Sequence, residues 1–406
     1  MKLHRLLLTM LTVLLAGCLY KAFEPVIVWN FGWKPLPDAT TRAASDTIEH
    51  EDVKQEIAAA RLLLIKAQQQ TGAPAMSVAI GQHNQVLWAE AIGLRDVEQN
   101  LPANTDTQFR LGSTSKAVTS VAIGVLLNDG ILDLDAPIQE YLGDFPQKQA
   151  AITTRMVMSH SAGFRNYGWC FCFPVWEQWQ NESFSTSREA LSIFSDDELL
   201  FKPGSQFSYT SYGYNISGAV IESISRKAFP DYLHQHVLVP LNMNRTDVEV
   251  AENVDGNRAV FYEVKNGQFK KSFPVDNSNK WPSGGLISTP HDLVLMGNAL
   301  LNNTFVPEPI SNALFTVQTL EDGQTNPQNY ALGWRNSANA SVLNDTRKTV
   351  IIHHGGLATG SSSVYMLLPE FDLTVSLMMN KGTDDYSEIL THAKAIADVF
   401  IARSLR

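Results

Sequence analysis

The chain has 406 residues, of which 44% are hydrophobic and 18% are charged, an ordinary composition for a globular protein. This length suits two or three average domains, or one large enzyme domain with an insertion. The formal net charge is −10 and the isoelectric point is about 5.5, and no run of lysine or arginine is longer than a pair. This balance argues against nucleic acid as a partner.

The first residues are typical of a targeting segment. A basic start, with Lys2 and Arg5, precedes an apolar run of twelve residues from Leu6 to Gly17. A bilayer needs roughly 20 apolar residues, so we expect this run to be too short to span one.

The apolar run ends in LAGC, Leu15 to Cys18, which resembles the lipobox of bacterial lipoproteins. The resemblance implies a signal peptide over residues 1–18, cleaved before Cys18, and a lipid on that cysteine that anchors the chain to a membrane of the cell envelope. For a Gram-negative source, Leu19 in place of aspartate implies the outer membrane, with the protein facing the periplasm. A plain signal peptide or an uncleaved anchor, with Cys18 incidental, stays open.

Two of the three cysteines remain if Cys18 carries a lipid. Cys170 and Cys172 favour a disulfide in an oxidising compartment. A ring with one intervening residue is small and strained, so two free thiols are an equal alternative. The pair offers too few ligands for a metal site, and nothing else in the sequence calls for a metal or an organic cofactor.

The first half of the chain gives clear element signals. Residues 19–50 lack periodicity and are interpreted as a tether. Residues 51–70 have helical spacing and end at Thr71-Gly72. Two β-rich runs, 76–81 and 85–93, flank GQHN, which indicates a hairpin.

The second half ends in β-structure again. Residues 131–300 alternate short helical patterns with Pro/Gly loops, and three apolar runs follow at 348–354, 362–368 and 372–380. A last helix is expected at about 385–403. We therefore predict an α/β domain over residues 51–405, in which N- and C-terminal strands form one sheet and a mostly helical lobe is inserted at about 131–290. A cleft between two lobes is a usual small-molecule site.

The stretch GSTSKAV at 112–118 contains the only serine that lies three residues before a lysine, Ser113 before Lys116. A buried helical pattern runs from Ser113 to Asn128-Asp129-Gly130. A helix start favours negative charge, and a lysine one turn on can reach the serine hydroxyl. A neutral lysine could then act as the base that a serine nucleophile needs. An N-cap serine is the alternative interpretation.

Two more segments contain candidate catalytic or binding residues. FKPGSQFSYTSYGYNISGAVIE at 201–222 places Tyr209 just before an amphipathic helix. IIHHGGLATGSSSVYMLLP at 351–369 is a strand that ends in His353-His354-Gly355-Gly356. The absent side chains of Gly355 and Gly356 would allow a ligand close to the backbone.

The order of these three segments resembles the serine β-lactamase and penicillin-binding protein family, in its class C-related branch. Their sequence is Ser-x-x-Lys, then a counterpart of Tyr-x-Asn, then a strand with His-x-Gly. The similarity runs from about residue 50 to 403 and is nearest to the mitochondrial β-lactamase-like serine protease and its bacterial relatives. It implies an antiparallel sheet flanked by helices.

The resemblance also implies roles. Ser113 would be the acylated nucleophile, and Lys116 and Tyr209 would move its proton to the leaving group. The backbone N–H groups of Ser113 and Leu357 would form an oxyanion hole. His354 would fill the Lys/His position of the third motif and orient Tyr209 and the substrate.

Two positions depart from the β-lactam-active members of the family. Ser211 stands where the asparagine of Tyr-x-Asn would be, and His354 replaces a lysine. A histidine is mostly neutral at pH 7, and losing a charge-assisted contact costs about 1.5–3 kcal/mol. Both changes favour a peptidase or esterase, acting on a peptide or small-molecule amide or ester. The alternatives are a β-lactamase or penicillin-binding D,D-peptidase, and a non-catalytic binding or scaffold protein. The oligomeric state stays open.

The segment 163–180, GFRNYGWCFCFPVWEQWQ, is rich in aromatic residues. It would form either an aromatic wall or membrane patch at the cleft mouth, or a small core under a loop.

Overall fold

The computed structural model describes residues 2–37, 47–170, 176–250 and 256–406. Within these ranges the helices are α1 (Lys2–Asn30), α2 (Lys54–Thr71), α3 (Ser115–Asn128), α4 (Thr154–Met158), α5 (Ser187–Ala190), α6 (Tyr212–Ser225), α7 (Phe229–Leu233), α8 (Trp281–Gly284), α9 (Pro290–Leu301), α10 (Glu308–Phe315) and α11 (Ser387–Ser404). The strands are β1 (Lys34–Pro35), β2 (Thr47–Glu49), β3 (Ala75–Gln82), β4 (Gln85–Asp96), β5 (Leu101–Pro102), β6 (Phe109–Arg110), β7 (Asp247–Val248), β8 (Tyr262–Lys265), β9 (Gln268–Lys271), β10 (Leu286–Ser288), β11 (Arg335–Val342), β12 (Arg347–Ala358), β13 (Ser361–Leu368) and β14 (Leu373–Met379).

The main sheet is antiparallel and joins the two ends of the chain. Its strand order is β11-β12-β13-β14-β3-β4-β2, with β5 beside β4. In the β3–β4 turn, His83 and Asn84 both have positive φ, which suits a tight hairpin. The predicted α/β fold with one sheet built from both termini is therefore confirmed.

Helices cover both faces of the sheet. Alternate residues of β3 and β14, such as Val78 and Val375, pack with α2 and α11 in one core. The opposite face packs against α9, where Val294 contacts Ala79. This alternation with a period of two is expected of strands that are buried on both faces.

The inserted part is less purely helical than predicted. Besides α4 to α8 it contains the hairpin β8–β9, and strand β10 pairs with both β6 and β7 in a three-stranded sheet. Residues from α3 and α9 nevertheless share one hydrophobic core with the inserted residues. The inserted residues are thus packed onto α3, the helix that follows Ser113.

The expected length of the N-terminal apolar run needs correction. The apolar run does not end at Gly17, because Leu19, Tyr20 and Phe23 continue it within α1. Among the described residues, His4–Phe23 is the one stretch long and apolar enough to cross a bilayer by length and composition, a test that a signal sequence also passes. The interpretation of residues 19–50 as a tether stays a prediction. Their described parts include the end of α1 and strands β1 and β2.

Candidate active site

A tight turn between β6 and α3 carries Ser113. Gly112 opens it with φ +52, and a Cβ there would lie 2.5 Å from the carbonyl oxygen of Leu357. A Cβ on Gly356 would lie 1.8 Å from the carbonyl oxygen of Leu111. The two glycines therefore allow β12 to press directly against the turn. This contact brings the backbone of Leu357 next to Ser113, as an oxyanion hole would require.

Lys116 lies one turn after Ser113 and is fully buried. Its Nζ atom is 3.1 Å from Oγ of Ser113, 3.3 Å from Oγ of Ser211 and 2.6 Å from the carbonyl oxygen of Ser283. Burial lowers the pKa of Lys116 well below its usual range, and the positive charge of Arg335 lowers it further.

A neutral Lys116 fits these three contacts. The carbonyl oxygen of Ser283 can only accept, so it takes one N–H, and Ser211 Oγ takes the other. A protonated Nζ donates to Oγ of Ser113, whereas in the neutral amine the third position on Nζ is a lone pair that can accept from the Ser113 hydroxyl. This arrangement can take a proton from the serine as the serine attacks.

Tyr209 precedes α6 and is half-buried beside the same lysine. The centroid of its ring is 5.1 Å from Nζ of Lys116. Burial raises the pKa of Tyr209, whereas the charge of Arg335 and a side-chain hydrogen bond with Ser113 oppose that rise. A protonated tyrosine hydroxyl at Ser113 can donate to a leaving group.

His354 has no exposed surface and lies behind Tyr209, with ring centroids 6.4 Å apart. Its Nδ1 atom is 2.8 Å from the carbonyl oxygen of Gly355, which can only accept, so Nδ1 carries the proton. Nε2 then accepts from the hydroxyl of Tyr330 at 2.9 Å. Burial, followed by the charge of Arg335, lowers the pKa of His354 well below its usual range. The ring is therefore neutral, and its Nε2 atom contacts Tyr330 and Arg335.

Arg335, at the start of β11, is a site residue that the sequence analysis missed. Its guanidinium lies 3.4 Å from Nε2 of His354 and 5.4 Å from the ring centroid of Tyr209. The rings of Tyr330 and Tyr386 flank it at 5.3 and 5.6 Å. The sequence feature that could have identified Arg335 is its position directly after ALGW, 331–334, in a chain whose third motif lacks a lysine.

Ser211 is also hydrogen-bonded to two residues of the loop after α4, Asn166 and Tyr167. Its N–H donates to Oδ1 of Asn166 at 3.1 Å, and its side chain is hydrogen-bonded to Tyr167, whose pKa burial raises to about 12. Asn166 and Tyr167 were not singled out from the sequence as partners of Ser211. They show that the serine is part of a network that supports Lys116.

An open cleft of about 880 Å³ leads to these residues. The predicted site residues Ser113, Ser211 and Leu357 line it, together with the aromatic rings of Tyr167, Trp179 and Trp33.

The aromatic segment 163–180 was expected to form either a wall or membrane patch at the cleft mouth or a small core under a loop, and its residues fall into both groups. Phe164 is buried against Phe145 and Phe194, whereas Tyr167 and Trp179 line the cleft. Trp169 and Trp176 are 54% and 41% exposed. Phe171 and Phe173 lie outside the described residues. The segment is therefore partly core and partly cleft wall.

The cysteines can now be placed. Cys18 is free and exposed on α1, and Cys170 is disulfide-bonded. Cys172 lies outside the described residues. Of the two alternatives for Cys170, the structure contains the disulfide.

Comparison with known proteins gives a consistent result. The family model described as Beta-lactamase matches residues 60–398. The human serine beta-lactamase-like protein LACTB, mitochondrial, is 30% identical, over 80% of this chain and 74% of that protein. Penicillin-binding protein 4* of Bacillus subtilis is 22% identical, over 78% of this chain and 70% of that protein.

Solved structures share the fold. The octameric penicillin-binding protein homologue from Pyrococcus abyssi aligns with a TM-score of 0.67 at 20% identity, covering 86% of this chain and 77% of that one. The D-amino acid amidase from Ochrobactrum anthropi SV3 aligns with a TM-score of 0.70 at 20% identity, covering 87% and 99%.

Proposed function

This chain belongs to the β-lactamase family, and from that premise we propose that it is a serine hydrolase that forms an acyl-enzyme on a peptide, amide or ester. One observation carries the proposal. Oγ of Ser113 lies in the cleft 3.1 Å from Nζ of a fully buried Lys116, whose other contacts leave its lone pair for the serine proton.

The proposed reaction has two halves. Ser113 Oγ attacks the substrate carbonyl carbon while its proton passes to Lys116, and the N–H groups of Ser113 and Leu357 stabilise the oxyanion. The bond to the leaving group then breaks, and Tyr209 donates the proton that the departing nitrogen or oxygen needs, regaining one from Lys116. Water attacks the acyl-enzyme by the reverse proton route and releases the acid.

Two features favour peptides, amides and esters over β-lactams. Ser211 is already bonded to Lys116 and Asn166, which limits its use as a substrate donor. His354 is buried and neutral, so it cannot offer the cation that a β-lactam carboxylate would meet.

A second candidate is a penicillin-binding D,D-peptidase or β-lactamase. The observation that favours it is the guanidinium of Arg335 next to His354, because it returns a positive charge to the region of the third motif. A non-catalytic scaffold on this fold is the third candidate, and it has no evident need for a buried lysine at hydrogen-bond distance from a cleft serine.

We also propose that the N-terminal segment attaches the protein to a membrane of the cell envelope, with the domain facing the periplasm. The apolar exposed helix α1 supports attachment, and the LAGC sequence with an exposed Cys18 supports a lipid on that residue. Metabolic labelling with a fatty acid in a bacterial host tests the lipid, with Cys18→Ser as the control. Label in both forms, or in neither, would contradict lipidation.

The deciding experiment for the function is intact-protein mass spectrometry after exposure to a fluorophosphonate and, separately, to a penicillin. We expect a phosphonate adduct in the parent chain and none in Ser113→Ala. A lasting penicilloyl adduct as well would favour the penicillin-binding alternative. No adduct from either reagent on folded protein would overturn the hydrolase proposal.

A further inference from the structure

The residues just after α1 do not leave the domain. They form a short segment, Phe31–Leu36, that docks beside the cleft and that we call the strap. Its strand β1 pairs antiparallel with β9, with Lys34 opposite Phe269 and Pro35 opposite Gln268. The strap is therefore part of the folded domain, although it directly follows a helix with membrane-spanning length.

Several contacts hold the strap in place. The Leu36 N–H donates to the carbonyl oxygen of Gly267 at 2.9 Å, and the Leu36 side chain packs on the small core that contains Tyr262 and Phe269. Lys34 forms an ion pair with Glu98 at 2.6 Å. Backbone pairing, apolar packing and charge thus act together along six residues.

Trp33 lies at the point where the strap meets the cleft. Its ring lines the same cavity as Ser113, with Trp179 and Tyr167 among the other lining residues. Nζ of Lys270, on β9, lies 4.6 Å from the centroid of its ring, a cation–π distance. A residue outside the sheet and the inserted lobe therefore contributes to the wall of the candidate active site.

The strap also fixes how far the cleft can be from the end of α1. Asn30 ends the helix and Trp33 follows three residues later, a span of at most about 10 Å in extended chain. The residues His4–Phe23 of that helix are apolar and unburied. If the helix lies in a bilayer, the cleft mouth must lie within a short distance of the membrane surface.

The rim of the cleft fits such a position. The segment that supplies Tyr167 and Trp179 to the cavity also presents Trp169 and Trp176 to solvent, paired by an isolated β-bridge. Tryptophan is favoured at membrane–water interfaces because its ring is apolar with one polar edge. The ring of Phe31, on the strap, is 69% exposed, so both the strap and the segment 163–180 present rings that suit contact with lipid headgroups.

We propose that the strap makes Trp33 a substrate-binding residue and holds the cleft against the membrane surface, so that the substrate is an amphiphilic ester or amide in the bilayer. This proposal rests on the proposed hydrolase activity and on an uncleaved α1 as the membrane anchor, which is the alternative to cleavage before a lipidated Cys18. It assigns the apolar part of the substrate to the aromatic wall and its carbonyl carbon to Ser113.

Two variants of the full chain separate the two parts of the proposal. Trp33→Ala removes the wall residue and leaves the anchor. An insertion of about twelve Gly/Ser residues between Asn30 and Phe31 leaves the strap docked but adds about 20 Å of flexible reach. All proteins are reconstituted in phosphatidylethanolamine/phosphatidylglycerol vesicles and compared on p-nitrophenyl acetate, which is soluble, and on p-nitrophenyl dodecanoate, which partitions into the bilayer.

We expect Trp33→Ala to raise the KM for the dodecanoate by roughly two- to tenfold, the range of one aromatic contact, and Trp33→Phe to restore most of the loss. We expect the insertion to leave acetate hydrolysis unchanged and to lower dodecanoate hydrolysis by about tenfold or more, because the local substrate concentration falls with distance. Parent-like dodecanoate hydrolysis by the insertion variant would overturn the proposal that the cleft is held against the membrane surface. A parent-like KM for Trp33→Ala would overturn the proposal that Trp33 binds the substrate.

A measurement without catalysis distinguishes failure of this proposal from failure of the hydrolase proposal. In a Ser113→Ala, Cys18→Ser chain, a fluorophore is attached at Asp384→Cys, an exposed position in the cleft lining. Quenching by headgroup-labelled lipid should be strong and should fall with the insertion. Strong quenching with no ester hydrolysis by the parent chain would contradict only the hydrolase proposal. Equal, weak quenching with and without the insertion would contradict the proposal that the cleft faces the membrane.

Discussion

The guanidinium Nη1 atom of Arg335 lies 3.4 Å from Nε2 of His354, on the neighbouring strand of the main sheet. The third motif of this chain lacks a lysine, and this contact places a cation next to the histidine that replaces it. The positive charge of Arg335 lowers the pKa of Lys116 and opposes the rise in the pKa of Tyr209 that burial causes.

Removing that charge should move the acid limb of the activity profile. The positive charge of Arg335 lowers the pKa of Lys116, so Arg335→Met should raise it. The base must be neutral, and the acid limb of kcat/KM should therefore move to higher pH. The loss of activity should be larger at pH 6 than at pH 9.

Arg335→Lys is the matched control, because it keeps a cation and should keep the acid limb near its original position. Profiles of kcat/KM between pH 5 and 10 on one soluble ester measure the effect. A limb that moves equally in both variants would show that geometry, and not charge, is responsible.

Lys116 and Tyr209 should be needed for the rate far more than for binding. Lys116→Met removes the base and Tyr209→Phe removes the donor, and general acid–base catalysis contributes about 10²–10⁴ in rate. We expect kcat to fall by about that range. Lys202→Met, which breaks an exposed ion pair with Glu321, is the control and should leave kcat unchanged.

The pH profile of the parent protein supplies a further check on this pair. Burial places the pKa of Lys116 well below its usual range, so activity should fall as the pH drops through that value. A flat profile from pH 5 to 9 would count against the lysine as base.

Local patterns predicted most of the framework. Neighbouring residues determine the hairpin at His83-Asn84 and the two long helices that pack on the sheet, α2 and α11. Hydrophobic periodicity and turn residues were therefore sufficient to predict these elements. The N-terminal apolar run was predicted too short, because the prediction ended it at Gly17, within the LAGC sequence. The helix continues, since a single Lys21 does not interrupt it.

The site was only partly predictable for a different reason. Ser113 and Lys116 are one helical turn apart, and their contact follows from spacing alone. Arg335, Ser283 and Trp33 reach the same cavity or the same lysine through long-range packing. No sequence window contains both partners of those contacts, so only the fold could reveal them.

Gly356 should tolerate no side chain. A Cβ at this position would lie 1.8 Å from the carbonyl oxygen of Leu111, a backbone atom that cannot rotate away. Gly356→Ala should push β12 off the turn that carries Ser113, with a cost of about 1–3 kcal/mol or more in unfolding free energy and loss of phosphonate labelling.

Gly143→Ala is the control for this substitution. Its nearest atom would be the carbonyl oxygen of Gln139 at 3.9 Å, an ordinary contact. Urea unfolding and labelling rates measure both variants. Normal labelling by a stably folded Gly356→Ala protein would show that the close approach of β12 is not required.

A buried ion pair should fix the two halves of the proposed oxyanion hole. Arg110, three residues before Ser113, forms two hydrogen bonds with the carboxylate of Glu249 at 2.7 and 2.8 Å, and both side chains are buried. The guanidinium also donates to the carbonyl oxygen of Thr359 at 2.6 Å, two residues after Leu357. One arginine thus links both segments.

Glu249→Gln leaves a buried guanidinium without its counter-charge, which typically costs about 3–5 kcal/mol. Arg110→Met/Glu249→Leu removes both charges of the pair and should recover part of that stability, because apolar replacements of a buried pair are often neutral, although Arg258 and Asn277 lose the carboxylate that they contact. The double variant still lacks the bond to Thr359, so its phosphonate labelling should stay slow although its urea midpoint recovers. Parent-like labelling by the double variant would show that the pair stabilises the fold without positioning the site.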